Sequence, residues 1–305
     1  MNRPLVGALA TAVLSATALI GATGTAGAAT TADAAATANP TAAQAAAAAQ
    51  SQAVQDVRVK PKAVNFAGTV ALSNCSGSIV RMPTSTDNDP ALVMSNGHCL
   101  ESGMPDPGEV VVDQPSSRSF TVLNASAGNL GTVRATKVVY GTMTDTDVSF
   151  YELSSTYAQI KQRYGIKALD IATSHPAKGA GITVVSGYWK KTFSCNIDGF
   201  VPQLKEGGYL MKDSVRYTSA CKTYGGTSGS PVIDNATGKV TAINNTGNED
   251  GARCTMNNPC EIDENGKVTV RKGINYAQQI YTIPNCFGTG NKLDLGRAGC
   301  VLPKP

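Results

Sequence analysis

The chain has 305 residues, 42% of them apolar, a formal net charge of +4, eight cysteines and two histidines. Such a length and composition fit one large or two small globular domains, and a modest charge without basic runs or aromatic-basic interleaving excludes nucleic acid as a partner. Two histidines and no Cys-x-x-Cys knuckles exclude a structural metal, so the even cysteine set is expected as disulfides formed in an oxidising compartment.

Residues 1–28 have the layout of a signal peptide: Arg3 as the basic start, an apolar stretch over 5–20, and the small-residue site Ala26-Gly27-Ala28, with cleavage expected after Ala28. The stretch is shorter than the roughly 20 strongly apolar residues that span a bilayer, so the chain is expected to be exported to the extracellular space rather than held in a membrane. Residues 29–60 are almost all Ala, Thr, Gln and Ser and lack the large apolar groups that offset ordering entropy. They are expected to form a disordered tail or a short pro-segment ahead of a folded part at 61–305.

Beyond residue 60 short β-rich runs alternate with Gly, Asn, Asp and Pro, at 77–82, 91–95, 109–113, 119–123, 132–140 and 148–153. A second series lies at 181–188, 191–195, 214–218, 231–233 and 239–244. The fold class is therefore all-β, in two halves at about 65–153 and 168–290. Between them Leu153, Tyr157, Ile160 and Tyr164 recur at helical spacing, with Ser154 or Ser155 as cap and Gly165 as stop. This helix is expected to pack where the halves meet. The turns at 235–238 and 264–266 read as hairpin connections, and 274–283 as a strand passing into a helical turn.

The run Gly225-Gly226-Thr227-Ser228-Gly229-Ser230-Pro231 carries what an exposed nucleophile needs. Glycines before a serine permit backbone conformations closed to other residues and turn the N–H groups of Gly226 and Ser228 toward one point, a candidate oxyanion hole. Gly229 is expected to leave room beside Ser228. On its own the run also fits a polar turn between strands. A serine hydroxyl needs a base, and His98, which ends an apolar strand beside Cys99, is better held than His175 in its Ser174-His175-Pro176 loop. The imidazole in turn needs a buried carboxylate, and Asp147, directly before the apolar run Val148-Ser149-Phe150-Tyr151, is preferred to Asp145.

Asn96-Gly97-His98-Cys99, Asp147-Val148-Ser149-Phe150 and Gly226-Thr227-Ser228-Gly229-Ser230-Pro231 together resemble, in order, the three signature blocks of the chymotrypsin-like (trypsin-like) serine peptidases. The likeness covers about 65–290, and the serine block is most similar to the bacterial secreted branch near the glutamyl endopeptidases. The resemblance implies two packed six-stranded antiparallel barrels, a catalytic triad of His98, Asp147 and Ser228 in the cleft between them, and a Cys75–Cys99 disulfide. For the remaining cysteines several pairings are open; Cys195 with Cys221, Cys254 with Cys260 and Cys286 with Cys300 is the set expected.

Two departures limit what the resemblance carries. Thr227 stands where trypsin-like zymogens hold the acid that receives a new amino terminus, and 242–247 lacks the histidine associated with glutamate preference. Lys222, Thr223 and Tyr224 are expected to form one wall of a specificity pocket and residues 244–247, including Asn244 and Asn245, the other. That is a polar pocket without an acid, which disfavours cleavage after Arg or Lys. The resulting expectation is a monomeric serine endopeptidase acting on protein or peptide substrates, needing no cofactor and no metal, with no membrane attachment after signal removal. The alternative is a catalytically silent binding module on the same fold.

Overall fold

Short β-rich runs cannot bury an apolar face alone, and in the computed structural model, which describes residues 63–305, they close into two rings. The leader and the Ala/Thr-rich segment expected at 1–60 lie outside the described residues. The first ring joins β1 (Thr69–Ala71), β2 (Ser76–Arg81), β3 (Pro90–Ser95), β5 (Ser119–Leu123), β6 (Asn129–Thr142) and β7 (Val148–Thr156). Its order is β1-β5-β6-β7-β3-β2, closed by antiparallel pairing of β2 with β1, while β4 (Val110–Pro115) pairs with β6 and the short β8 (Leu169–Asp170) runs parallel to β2.

The second ring joins β9 (Gly181–Ser186), β10 (Lys191–Glu206), β11 (Tyr209–Tyr217), β12 (Pro231–Asp234), β13 (Val240–Gly247) and β16 (Asn275–Gln279). Its order is β11-β16-β13-β12-β9-β10, closed where β10 meets β11, and the β14 (Cys260–Ile262) and β15 (Val268–Val270) hairpin extends it from β10. The architecture is thus the all-β, chymotrypsin-like pair of barrels.

Side chains alternating along a strand explain the cores. Val93 of β3 points into the first barrel with Ile79, Phe120 and Tyr151, whereas its neighbours Leu92 and Met94 face outward with Tyr140, Phe150, Val240 and Ile243. Both faces of β3 are covered, which is why its sequence shows no polar alternation. Ile182, Val184, Val215, Tyr217 and Val232 fill the second barrel.

The single α-helix among the described residues, α1 (Tyr157–Tyr164), is capped by Thr156, whose hydroxyl accepts from Gln159 N while the Gln159 side chain receives the Thr156 N–H. Ser154 and Ser155 are still in β7, so the cap falls one residue later than the sequence suggests, and Gly165 stops the helix at φ 69°. Tyr157 and Ile160 join the first barrel's core, so α1 packs on that barrel rather than between the halves.

After β16 the chain returns to the first barrel through short helical turns at Ile283–Cys286 and Thr289–Asn291. Phe287 stacks against Phe150 at 5.3 Å, Asn291 donates to the Pro90 carbonyl and the Tyr157 hydroxyl, and Tyr140 donates to the Pro303 carbonyl. Phe287 is fully buried, worth about 1.5–3 kcal/mol relative to exposure. Disulfides join Cys75 to Cys99, Cys195 to Cys221, Cys254 to Cys260 and Cys286 to Cys300, the set expected.

Candidate active site

β3 ends at Ser95, and the chain turns tightly through Gly97–Cys99, which sets His98 at the mouth of the first barrel. Gly97 is required there, because a Cβ would collide with the Thr142 carbonyl. The next residue is anchored twice: Cys99 is bonded to Cys75, and its carbonyl accepts from Arg118, whose guanidinium is buried and also donates to Tyr151 and Asn74. Asp147, buried at the start of β7, accepts the His98 backbone N–H at 3.1 Å and meets His98 Nδ1 through its other oxygen at 2.6 Å. Asn96 donates to the Asp147 carbonyl and so fixes the segment that carries the carboxylate. Asp145 is employed elsewhere, paired with Lys212 at 2.8 Å, and His175 sits by Phe200, Tyr281 and Asp213 on another face.

Burial works against a charged ring at His98, but the Asp147 charge, its hydrogen bond and the more distant Glu206 outweigh it. The imidazolium is therefore held above its ordinary range.

Ser228 lies in the loop between β11 and β12, whose shape depends on Gly226 at φ 86°. The N–H groups of Gly226 and Ser228 have no acceptor among the described residues. The loop is braced from beneath: Thr227 is buried, its hydroxyl donates to the Tyr224 carbonyl, and Asn244 donates to the Thr227 carbonyl and hydroxyl. A neutral brace thus occupies the place an acid would take in a trypsin-like zymogen switch. The Ser76 N–H donates to the Ser228 carbonyl at 2.8 Å, and the Ser76 hydroxyl donates to the Gly226 carbonyl and accepts the Tyr188 N–H. Gly229 is needed for a different reason from the room expected beside Ser228. At φ 77° it lies so close to β2 that a Cβ would strike the Ser76 carbonyl and the Ser95 hydroxyl.

His98, Asp147 and Ser228 line one cleft. Within it the Ser228 hydroxyl donates to the Asn245 carbonyl at 3.3 Å, and His98 Nε2 has no hydrogen-bond partner among the described residues. The expected row of hydrogen bonds is therefore complete between carboxylate and ring and open between ring and hydroxyl. Thr223, Tyr224, Asn244 and Asn245 line the same cleft, whereas Lys222 is exposed and stays out of it. The Asn244 amide is used up in holding the serine loop, so that side chain is a prop more than a pocket donor.

Nothing in the sequence pattern singles out Glu206. It lines the cleft from the end of β10, in a hairpin that residues 196–213 conceal behind Pro202 and the Gly207-Gly208 turn. Thr223, Tyr224 and residues 244–247 alone make an acid-free pocket; Glu206, with Glu249 on the rim, makes it an acidic one and removes the ground for expecting it to be hostile to Arg or Lys. Burial pushes the Glu206 carboxyl up, against the hydrogen bonds from Thr246 and Asn257 that pull it down. Cys75, His98 and Cys99 are close enough to suggest a metal set, but the two sulfurs are bonded to each other and offer no thiolate.

A family model described as "Trypsin-like peptidase domain" matches residues 75–243, more than half of the chain. No curated protein matches its sequence. Among solved structures, the chain is similar to the MamO protease domain from Magnetospirillum magneticum at 16% identity and a TM-score of 0.43, over 75% of this chain and 96% of that one. The thermostable serine protease AL20 from an extremophilic microorganism gives 17% identity and a TM-score of 0.41, over 72% and 91%. The serine endoprotease from Yersinia pestis gives 15% and 0.42, over 77% and 64%.

Proposed function

The chain belongs to the trypsin-like peptidase family, and from that premise we propose that it is a secreted serine endopeptidase which hydrolyses peptide bonds through an acyl-enzyme on Ser228. The observation that carries this is the 2.6 Å contact of His98 with buried Asp147 in a cleft shared with Ser228. In this reading the Ser228 hydroxyl leaves the Asn245 carbonyl by rotation about its Cα–Cβ bond and engages His98 Nε2 in the working enzyme. Catalytic hydrogen bonds often tighten only when substrate is bound.

His98 then takes the Ser228 proton as Oγ attacks the peptide carbonyl, and the new imidazolium is stabilised by Asp147. The oxyanion of the tetrahedral intermediate accepts from Gly226 and Ser228 N–H, each donor of this kind being worth about 2.7–4 kcal/mol. His98 next gives its proton to the departing amine, leaving the acyl group on Ser228. Water, deprotonated by the same ring, releases the acid and restores the serine. Base catalysis of this type contributes about 10²- to 10⁴-fold in rate.

Residues 1–28 act as the export leader in this proposal and 29–60 as a tail or pro-segment before the peptidase at 61–305, with four disulfides suited to an oxidising exterior. The enzyme works as a monomer without a cofactor. Its serine block resembles the branch near the glutamyl endopeptidases, but their glutamate preference is not carried over.

One observation favours the rival reading, a silent binding module: the Ser228 hydroxyl rests on the Asn245 carbonyl instead of on the ring. A fluorophosphonate probe separates the two. The wild-type protein is expected to be labelled and to cleave a peptide library, and Ser228→Ala to do neither. An unlabelled wild type, or normal hydrolysis by Ser228→Ala, overturns the assignment.

A further inference from the structure

Glu206 is 7% exposed, yet it lines the cleft that holds His98 and Ser228. Its Oε1 is satisfied by the Thr246 hydroxyl at 3.0 Å and the Asn257 N–H at 2.7 Å. Its Oε2 has no partner among the described residues. The Cys254–Cys260 disulfide closes the loop that brings Asn257 onto the carboxylate, and Asn257 adopts φ 58° to do so. A carboxylate this buried is costly unless its remaining lone pairs meet a donor, and a cation is the strongest donor available.

The surrounding walls suit such a cation on an apolar stem. Met143 and Met256 line the cleft, Met256 lies directly over Gly207 beside Glu206, and Glu249 adds a second negative charge at the rim. Lysine and arginine side chains have this make-up, an aliphatic stem that packs on apolar surface and a charged head that takes a carboxylate. A substrate carboxylate would instead meet Glu206 at close range.

We propose that Glu206 is the specificity-determining residue of this cleft and that its free Oε2 receives the side-chain cation of a substrate Lys or Arg. This rests on the serine endopeptidase function proposed above. The unfavourable burial of the Glu206 charge fits the assignment, since a bound cation restores what desolvation removes.

The test uses N-acetylated fluorescent peptides carrying Lys, norleucine or Glu at one position at a time on the acyl side of the scissile bond. Binding is read by anisotropy to the full-length Ser228→Ala protein, so that it does not depend on turnover. At one position Lys is expected to bind about ten- to a hundredfold more tightly than norleucine, and Glu more weakly than either. The Lys advantage is expected to fall to within about twofold when Glu206→Gln is added, and Glu206→Lys is expected to favour the Glu peptide. The side-chain amide that Glu206→Gln introduces keeps an acceptor for Thr246 and Asn257, and a thermal melt checks that the fold is kept. Equal binding of Lys and norleucine at every position overturns the proposal, as does a Lys advantage that survives in folded Glu206→Gln. A preference that follows a free peptide α-amine instead of a side chain overturns it too. Failure of the peptidase function is seen separately, as absence of fluorophosphonate labelling in the wild type.

Discussion

Ser76 of the first barrel holds Ser228 of the second: the Ser76 backbone N–H donates to the Ser228 carbonyl at 2.8 Å. Because Ser76 follows Cys75, which is bonded to Cys99 beside His98, one short stretch of β2 ties the ring's support to the serine's loop. Its fully buried hydroxyl also meets Ser186 Oγ, the Gly226 carbonyl and the Tyr188 N–H.

Ser76→Ala leaves those buried groups short of a partner, at an expected cost of about 1–3 kcal/mol in unfolding free energy. Gly226 carries one proposed oxyanion donor, so kcat is expected to fall about ten- to a hundredfold with little change in KM. Denaturant titration and steady-state kinetics check the two effects; an unchanged kcat in a destabilised protein would leave Ser76 a purely structural clamp.

The acid limb of kcat/KM is expected at a pH above 6.5, the ordinary imidazole value, because His98 is held above it and only the neutral ring accepts a proton. Asp147→Asn removes the charge and leaves the burial, so the limb is expected to move to lower pH while kcat drops by about 10⁴-fold. The sign for stability is the opposite of that for activity. Because the folded-state value is raised, the stabilisation is full below pH 6.5 and is lost as pH climbs from there through the higher folded-state value. A pH–rate profile and denaturant titrations at several pH values read the two.

Arg118→Met keeps much of the apolar stem but strands the acceptors on Cys99, Tyr151 and Asn74, and is expected to cost about 1–3 kcal/mol and lower kcat through the His98 turn. Glu101→Gln, 3.9 Å from Arg118 on an exposed side chain, is expected to change stability by under about 0.5 kcal/mol. Equal effects in thermal melts would contradict this division.

Gly229→Ala forces a positive φ on a side chain and drives a Cβ into the Ser76 carbonyl, and is expected to destabilise by about 2–4 kcal/mol. Gly226→Ala faces movable aromatic side chains, Tyr188 and Trp189, and is expected to cost about 1–3 kcal/mol of strain with a larger loss of rate. Comparing unfolding midpoints with kcat for the pair distinguishes a joint between barrels from a shaped anion site.

The sequence announces those parts of the molecule whose chemistry is local. The three blocks around His98, Asp147 and Ser228 each sit at a strand end or a glycine turn, and the structure brings them to one cleft. What is hidden depends on contacts between distant segments. The strand β10 runs sixteen residues, but Pro202 and the shift between Ile197 and Gly199 break its pattern, so only its first third is legible and Glu206 has no address. Strands β1, β14 and β15, three residues each, are too short to show a period. Gly229 misleads in another way, since its freedom serves the approach of β2, which no neighbour in the chain reveals.

The segment from Cys286 to Pro303 has a bearing on timing. It seals the outer face of β3 and β7 with Phe287 and Asn291, so the barrel whose strands come first in the chain is finished by a stretch that follows the second barrel. As the chain leaves the ribosome amino end first, the His98 half must wait without the Phe287 cover on Phe150 until the second barrel has been synthesised. The first barrel's outer seam is thus closed only by residues that lie beyond the second barrel, and a chain cut short between β16 and Cys286 keeps that seam open.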